Sequence, residues 1–435
     1  MIEQHTQENI NRAVLVGLSA HSLPREENAT DETMEELCAL LETAGGICAG
    51  SVLQNRDAPD PRTFIGEGKT EQVKELVRNA GADLVIFDNA LSPSQQRALT
   101  EELGVQVMDR SALILDIFAQ RARTREGRLQ VELAQYQYLL PRLTGMWGHL
   151  VRQTASGGKS PIGTRGPGET QLETDRRHIR RKITKLQEEL EQVRRVRATQ
   201  RQRREKNEVP VVAIVGYTNA GKSTLLNRLT GADIPANNRL FDTLDTTTRT
   251  LEISDTCTVL LSDTVGFIRK LPHHLVEAFK ATLEELTYAD LLLHVIDASN
   301  PQWREQAEVV EQLIAGLGAG ETPRIDVFNK CDRYTGDILP HGEEIVALSA
   351  RTGQGVEDLL KKIGARLDAG ARRVVLHIPY EQGGLVDLLH REAKVERVEY
   401  GETIEVEAVC TPVQLGRLRE YIVSGWTPPK EFWEE

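Results

Sequence analysis

Eight consecutive residues, Gly216-Tyr217-Thr218-Asn219-Ala220-Gly221-Lys222-Ser223, fit the spacing G-x-x-x-x-G-K-[ST]. Glycines at those points let a backbone wrap a phosphate chain with its N–H groups pointing inward. A helix opening at the lysine adds the positive end of its dipole. Lys222 would then reach the β and γ phosphates of a nucleotide, the Ser223 hydroxyl would ligate Mg²⁺, and the whole stretch Gly216–Thr224 would bind phosphate. The flanks agree, since VPVVAIV reads as a strand and TLLNRL as the start of a helix.

Three further stretches follow in order. Asp263-Thr264-Val265-Gly266 closes a strand; Asp263 would hold a water on Mg²⁺ and the Gly266 N–H would bond the γ-phosphate, a bond broken by hydrolysis. Phe241-Asp242-Thr243-Leu244-Asp245-Thr246-Thr247-Thr248 lies between, where a switch segment supplies a second Mg²⁺-ligating threonine. Thr243 is favoured there and Thr246 comes next, with Thr247 and Thr248 better explained as entry into a strand. Asn329-Lys330-Cys331-Asp332 follows the strand RIDVF. The Asp332 carboxylate can accept both N1–H and N2–H of guanine, and adenine offers no such pair. Asn329 would tie loops together, Lys330 would lie along the base, and Ser349-Ala350-Arg351 would present a backbone N–H to guanine O6. The chemistry is hydrolysis of GTP to GDP and phosphate, with Lys222, Thr243 and Gly266 around the transferred group. One part is missing. Many such sites place a water-orienting glutamine directly after D-x-x-G, and here that residue is Phe267, so slow unaided hydrolysis is expected.

These residues need a scaffold. Strand-like VPVVAIVG, VLLSDTVG, LLLHVIDA, RIDVFNKCD and EEIVALSA each end at a polar or glycine cluster, as in a parallel sheet working at its carboxyl edge. Ahead of it, AVLVGL and LVIFD read as strands, and Thr30–Thr43 and Thr70–Asn79 as amphipathic helices, giving a small α/β domain. Its Phe64-Ile65-Gly66-Glu67-Gly68-Lys69 lacks the full phosphate-loop spacing and reads as a strand-to-helix turn. Residues 111–140 read as one long helical stretch and 170–207 as a second. Ile179, Ile183, Leu186, Leu190 and Val193 keep heptad spacing against Leu129, Leu133, Tyr136 and Leu140, which makes an antiparallel hairpin. Its loop, Gly145–Glu169, is rich in glycine, proline and serine. Near the end, RVVLHIP, KVERVEY and TIEVEAV are strand-like, while GGLVDLLHREA and TPVQLGRLREYI are helix-like. The α/β chain thus divides into an N-terminal α/β domain (1–110), a helical hairpin (111–207), a P-loop GTPase domain (208–370) and a small C-terminal α/β domain (371–435).

Composition bounds the partners. The 435 residues are 40% hydrophobic and 27% charged, a globular class with few aromatics at 5%. The polar Met1-Ile2-Glu3-Gln4-His5 start lacks a secretory pattern, and no apolar run reaches the roughly 20 residues of a membrane span. Five scattered cysteines (Cys38, Cys48, Cys257, Cys331, Cys410) read as reduced thiols, so a cytoplasmic monomer is expected. Net charge is −12, yet between Arg176 and Lys206 there are 13 Lys/Arg against 4 Asp/Glu. A basic helix on an acidic body points to a polyanion contacted at one place, and arginine-rich composition suits the phosphates of RNA. A merely solvated helix is the alternative.

GTRGPGETQLETDRR (Gly163–Arg177), GYTNAGKST, FDTLDTT, DTVGFIRKLPHHLVEAFKATLEE and NKCD together resemble HflX-type GTPases, with FIGEGK near Phe64 and YEQGGLVDLLHREA near Tyr380 extending the likeness over nearly the whole chain. The resemblance implies binding to the large (50S) ribosomal subunit and its rRNA through the hairpin. It also implies splitting of stalled or idle 70S ribosomes, with Ser223 and Thr243 as Mg²⁺ ligands and Gly157–Gly168 as the hairpin tip. A large-subunit assembly GTPase and an RNA-remodelling NTPase are the alternatives.

Overall fold

The computed structural model describes residues 11–146, 167–205, 209–232, 240–241, 247–254, 257–271, 275, 284–336, 339–367, 372–410 and 412–424. The glycine-rich loop between 147 and 166, and Asp242 to Thr246, lie outside them.

The first unit is a four-stranded parallel sheet in the order β2-β1-β3-β4, with β1 Arg12–Ala20, β2 Ile47–Arg56, β3 Leu84–Phe87 and β4 Gln106–Asp109. Its central strand is apolar on both sides because helices cover both faces. Ala13 and Leu15 pack on α1 (Asp31–Thr43) and α4 (Arg110–Arg121). Val14 and Val16 pack with Val73 and Val77 of α2 (Glu67–Ala80) and Leu99 and Leu103 of α3 (Pro93–Leu103). Helix starts are chemically marked. Thr30 and Thr33 form a capping box before α1, and Ser92 with Gln95 forms another before α3, which has Pro93 at its first turn. The Phe64–Lys69 segment is the expected strand-to-helix turn, with Gly66 capping α2.

The long helical stretch expected over 111–140 is two helices. α4 ends at Arg121 and α5 runs Arg125–Met146, because α4 packs on the N-terminal sheet while α5 turns away to pair with α6 (Pro167–Glu205). Leu129 and Leu133 meet Leu186 and Leu190 along the hairpin, flanked by Tyr136, Ile183 and Val193. The 39 residues of α6 span about 58 Å at 1.5 Å each.

The third unit is a six-stranded sheet ordered β10-β9-β8-β5-β7-β6. It comprises β5 Val211–Gly216, β6 Thr247–Ser254, β7 Cys257–Asp263, β8 Leu291–Asp297, β9 Arg324–Asn329 and β10 Ile345–Ala347. The five strands read from the sequence are mutually parallel, and the sheet adds a sixth at its edge that the sequence reading did not count among them. The edge strand β6 runs antiparallel to β7, joined to it by a short connection. Helices α7 (Lys222–Thr230), α8 (Trp303–Gly316) and α9 (Val356–Leu367) accompany it. A last antiparallel sheet, ordered β12-β13-β11-β14, is built from β11 Arg372–Ile378, β12 Lys394–Tyr400, β13 Ile404–Cys410 and β14 Ile422–Ser424, with α10 (Gly384–Glu392) and α11 (Pro412–Arg417). The helix expected over TPVQLGRLREYI stops at Arg417. Gly416 weakens it, and the β-branched Ile422 and Val423 join the sheet edge instead.

Asp109 anchors hairpin to sheet. Fully buried, it accepts from the Ala112 N–H at 3.0 Å, the Leu91 N–H at 3.2 Å and the Tyr138 hydroxyl at 2.9 Å, and pairs with Arg142 at 3.1 Å. The same guanidinium donates to Gln96 Oε1 at 3.0 Å and the Leu91 carbonyl at 3.0 Å, and lies 3.5 Å over the Tyr138 ring. Removing it leaves the buried Asp109 charge with three neutral donors and without its cation. We expect Arg142→Ala to lower unfolding free energy by about 3 kcal/mol in urea titrations, with Arg142→Lys a poor substitute because an ammonium cannot make the planar fork.

Candidate functional site

The phosphate loop leaves β5 at Gly216 and enters α7 at Lys222. Its two glycines are required by contact. A methyl at Gly216 (φ +153°) would lie 2.2 Å from the Val295 carbonyl oxygen, and one at Gly221 (φ +97°) 2.2 Å from Asn329 Nδ2. Lys222 is buried and donates to the carbonyls of Gly216 at 3.1 Å and Tyr217 at 2.8 Å, which holds its ammonium under the loop. Burial pushes that ammonium down to about 8, against the pull of Asp263 and with the push of Lys330. Tyr217, Thr218 and Ala220 are buried, while Asn219 is exposed with φ +61°. Thr224 lies in the first turn of α7.

Asp263 ends β7, fully buried, and Ser223 Oγ donates to its Oδ2 at 3.0 Å. Two hard oxygen donors meeting at the edge of a phosphate loop suit Mg²⁺. Thr264 Oγ1 donates to the Ile214 carbonyl at 2.7 Å and pins the segment to β5, and Val265 is buried. Gly266 lies close above Lys222, and Phe267 makes a β-bridge to Tyr217. Phe267 is 1% exposed and belongs to one apolar cluster with Ile268, Leu275 and Tyr217, and its ring carries no group that could orient a water. Phe241 is buried with its ring 4.7 Å from that of Phe118; Asp242, Thr243, Leu244, Asp245 and Thr246 are among the residues outside the description.

The base side is joined by one amide. Asn329, at the end of β9, donates from Nδ2 to the Ala220 carbonyl at 2.8 Å and accepts at Oδ1 from the Ala350 N–H at 2.9 Å. Lys330, with φ +62°, donates to the Asn219 carbonyl at 2.8 Å and pairs with Asp297 at 2.7 Å. Cys331 is half-buried, donating its N–H to the Leu348 carbonyl at 3.2 Å, and Asp332 beside it is exposed. Ser349 is buried with its N–H on the Gln354 carbonyl at 2.9 Å, so a guanine O6 directed at Ala350 shares an amide already held by Asn329. The Ala350 carbonyl accepts from Arg228 Nε at 3.1 Å, and the Arg351 carbonyl accepts from the same guanidinium.

Sequence reading missed three groups that touch this constellation. Asp297, the ion partner of Lys330, ends the strand LLLHVID, and that strand-end carboxylate was its available signal. Arg228 carries no pattern. Glu36 of α1 accepts from the Tyr217 hydroxyl across a separation of 181 residues, which no local pattern reveals. Burial and then the Glu36 carboxylate raise that phenol well above its ordinary value, so it stays neutral and donates.

Family models match in three consecutive blocks: a GTP-binding GTPase N-terminal region over residues 31–119, a GTP-binding GTPase middle region over 121–204, and a 50S ribosome-binding GTPase over 211–330. A GTPase HflX of Caldanaerobacter subterraneus is 49% identical over 415 residues, covering 95% of this chain and 94% of that protein. The GTPase HflX of Escherichia coli is 46% identical over 373 residues, covering 84% and 86%. Among solved structures, a GTP-binding protein of Sulfolobus solfataricus with GDP is 25% identical, covers 82% of this chain and 99% of that one, and has a TM-score of 0.43.

Two measurements follow from the geometry. Phosphate charge restores the Lys222 ammonium, so nucleotide binding above pH 8 should take up a proton and weaken as pH rises. Calorimetric titration of GDP at pH 8.5 in two buffers of different ionisation enthalpy reads that proton directly, and equal heats would refute it. Asp332→Asn should shift preference from guanine to xanthine nucleotides, as measured by competition; retained GTP preference would remove Asp332 from the base site.

Proposed function

The chain belongs to the GTPase HflX family and hydrolyses GTP, and from that premise we propose that it binds the large ribosomal subunit and splits stalled or idle 70S ribosomes, with hydrolysis stimulated by the ribosome. The observation that carries the reading is the hairpin. α6 is 39 residues long and ends, in sequence, six residues before the strand that begins the nucleotide site. Its Arg177, Arg180, Arg181, Arg194 and Arg195 are exposed, while Leu186 and Leu190 face α5 and Lys182 Nζ reaches the Tyr136 hydroxyl of α5 at 3.0 Å. One side of the helix therefore builds the hairpin and the other offers cations. Several of them sit in exposed intrahelical pairs, such as Arg177–Glu173 and Arg195–Glu191, which cost little to exchange for RNA phosphate. The name of the family matched over residues 211–330 supports the same partner.

In this reading Lys222 and the loop amides hold the phosphates and Asp332 reads guanine. Ser223, with Asp263 behind it and Thr243 from the switch segment, would hold Mg²⁺. When bound, that ion neutralises charge on the β and γ phosphates. Gly266 contacts the γ-phosphate and reports its loss. Phe267 leaves the attacking water without an orienting group, so the ribosome must complete the site. GTP favours the bound, splitting-competent pose and hydrolysis releases the factor into the cytoplasm.

The test is a sucrose gradient of 70S ribosomes mixed with the protein and GTP. Free subunits should increase and Lys222→Ala should abolish the increase. GTP turnover should rise at least tenfold with ribosomes. No new free subunits would overturn splitting, and stimulation by isolated 50S subunits without splitting would favour an assembly role.

A further inference from the structure

The N-terminal unit grips the nucleotide site at two points through one nearly closed ring of polar groups. Tyr217, inside the phosphate loop, donates its hydroxyl to Glu36 and accepts from the Arg269 N–H at 2.8 Å. Glu36 pairs with Arg110, Arg110 pairs with Asp88 at 2.9 Å, and Asp88 pairs with Lys270. Thr33 Oγ1 donates to the same Asp88 oxygen at 2.8 Å. Two cations and two carboxylates balance, and Arg110 and Asp88 are buried. Arg269 and Lys270 follow Gly266 and Phe267 with only Ile268 between, so the ring holds the segment that must move when the γ-phosphate is gained or lost.

That segment stands where a γ-phosphate needs room. The Thr218 N–H donates to the Phe267 carbonyl at 2.7 Å, and the Phe267 N–H donates to the Gly216 carbonyl at 3.1 Å. A single methyl added at Gly266 would already lie 2.9 Å from Lys222 Nζ and 3.0 Å from Thr218 Cα. A phosphate is larger than a methyl. Making room for it between Lys222 and Gly266 means swinging the Lys222 ammonium aside or lifting residues 266–267 off Thr218, and lifting them pulls on Arg269 and Lys270.

We propose that Glu36 and Asp88 are positioning residues of the GTP site: acting through Tyr217 and Lys270, they hold the segment after Gly266 down on the phosphate loop. Gaining a γ-phosphate and loosening the N-terminal unit's grip are then one coupled event. Coupling is reciprocal, so anything that pulls the N-terminal unit away favours GTP over GDP by the same factor. The GDP pose needs no such lift and is indifferent to the ring. This rests on the assignment of Lys222 and Gly266 to the γ-phosphate.

Lys270 is the residue to change. Without it Asp88 keeps Arg110 and Thr33, so the N-terminal sheet keeps its buried pairs. Fluorescent GDP and a non-hydrolysable GTP analogue would be titrated into full-length wild type, Lys270→Met and Lys270→Arg. Lys270→Met should bind the analogue about fivefold more tightly, the lower end of typical coupling, with GDP affinity unchanged and the KM for GTP lowered. Lys270→Arg should restore wild-type behaviour. Equal changes for both nucleotides, or none, would overturn the proposal. Gly266→Ala separates the two possible failures. If it loses the analogue and keeps GDP, the phosphate assignment stands and an unmoved Lys270→Met overturns the ring alone. If it binds both nucleotides as wild type does, the assignment and the ring fall together.

Discussion

The site depends on one buried amide. Asn329 binds the phosphate loop through Ala220 and the Ser349–Arg351 turn through Ala350, so a single planar group fixes the distance between phosphate-binding and base-binding loops. Both of its ends are satisfied inside the protein, and a buried amide left half-paired costs about 1–3 kcal/mol. Its closeness is what excludes any side chain at Gly221. Three loops from distant parts of the chain thus move as one rigid cradle. What remains adjustable is the edge of the cradle at Gly266, where hydrogen bonds to Gly216 and Thr218 are the only ties between backbone segments that the described residues show there.

A rigid cradle with one movable edge needs something to set that edge. In an isolated nucleotide domain solvent would do so. Here Phe267 and Ile268 join an apolar cluster shared with Ile114, Ile117 and Phe118 of the N-terminal unit, and the Glu36–Arg110–Asp88–Lys270 ring lies beside it. Ion pairs of this kind are weak evidence for stability, because desolvation offsets attraction. Breaking half of the ring, though, leaves buried charge without a partner, which is strongly destabilising. The interface therefore prefers discrete arrangements over gradual ones.

The cradle was legible in the sequence because each part is local. Spacing placed Gly216, Gly221, Lys222 and Ser223 on a turn between strand and helix, and Asp263 and Asn329 at strand ends, where the structure puts them. The hairpin stripe was legible for the same reason, as Leu129 and Leu133 do meet Leu186 and Leu190. What failed was non-local. The break after Arg121 depends on which surface each helix packs against, and the place of β6 at the sheet edge depends on its pairing with β7. The failed end of TPVQLGRLREYI had a signal in Gly416, but the sheet edge that captured Ile422 did not. The partners of Tyr217 were out of reach altogether, because a tyrosine inside a phosphate loop says nothing about a glutamate 181 residues earlier.

Phe267 brings these threads to one residue. A glutamine there would have to face the phosphates to orient water, and could not also fill the apolar cluster under Ile268 and Tyr217. Fully burying a phenylalanine is worth roughly 1.5–3 kcal/mol relative to exposing it, which holds residues 266–268 to the interface instead of to the reaction. The residue that would leave the attacking water unoriented is thus also one that packs into the cluster shared with the N-terminal unit. On the proposed function, slow unaided hydrolysis is the expected consequence of this packing. On that proposal its timing would be set by whatever completes the water-binding side from outside, and the exposed arginines of α6 are the groups that would meet a polyanionic partner.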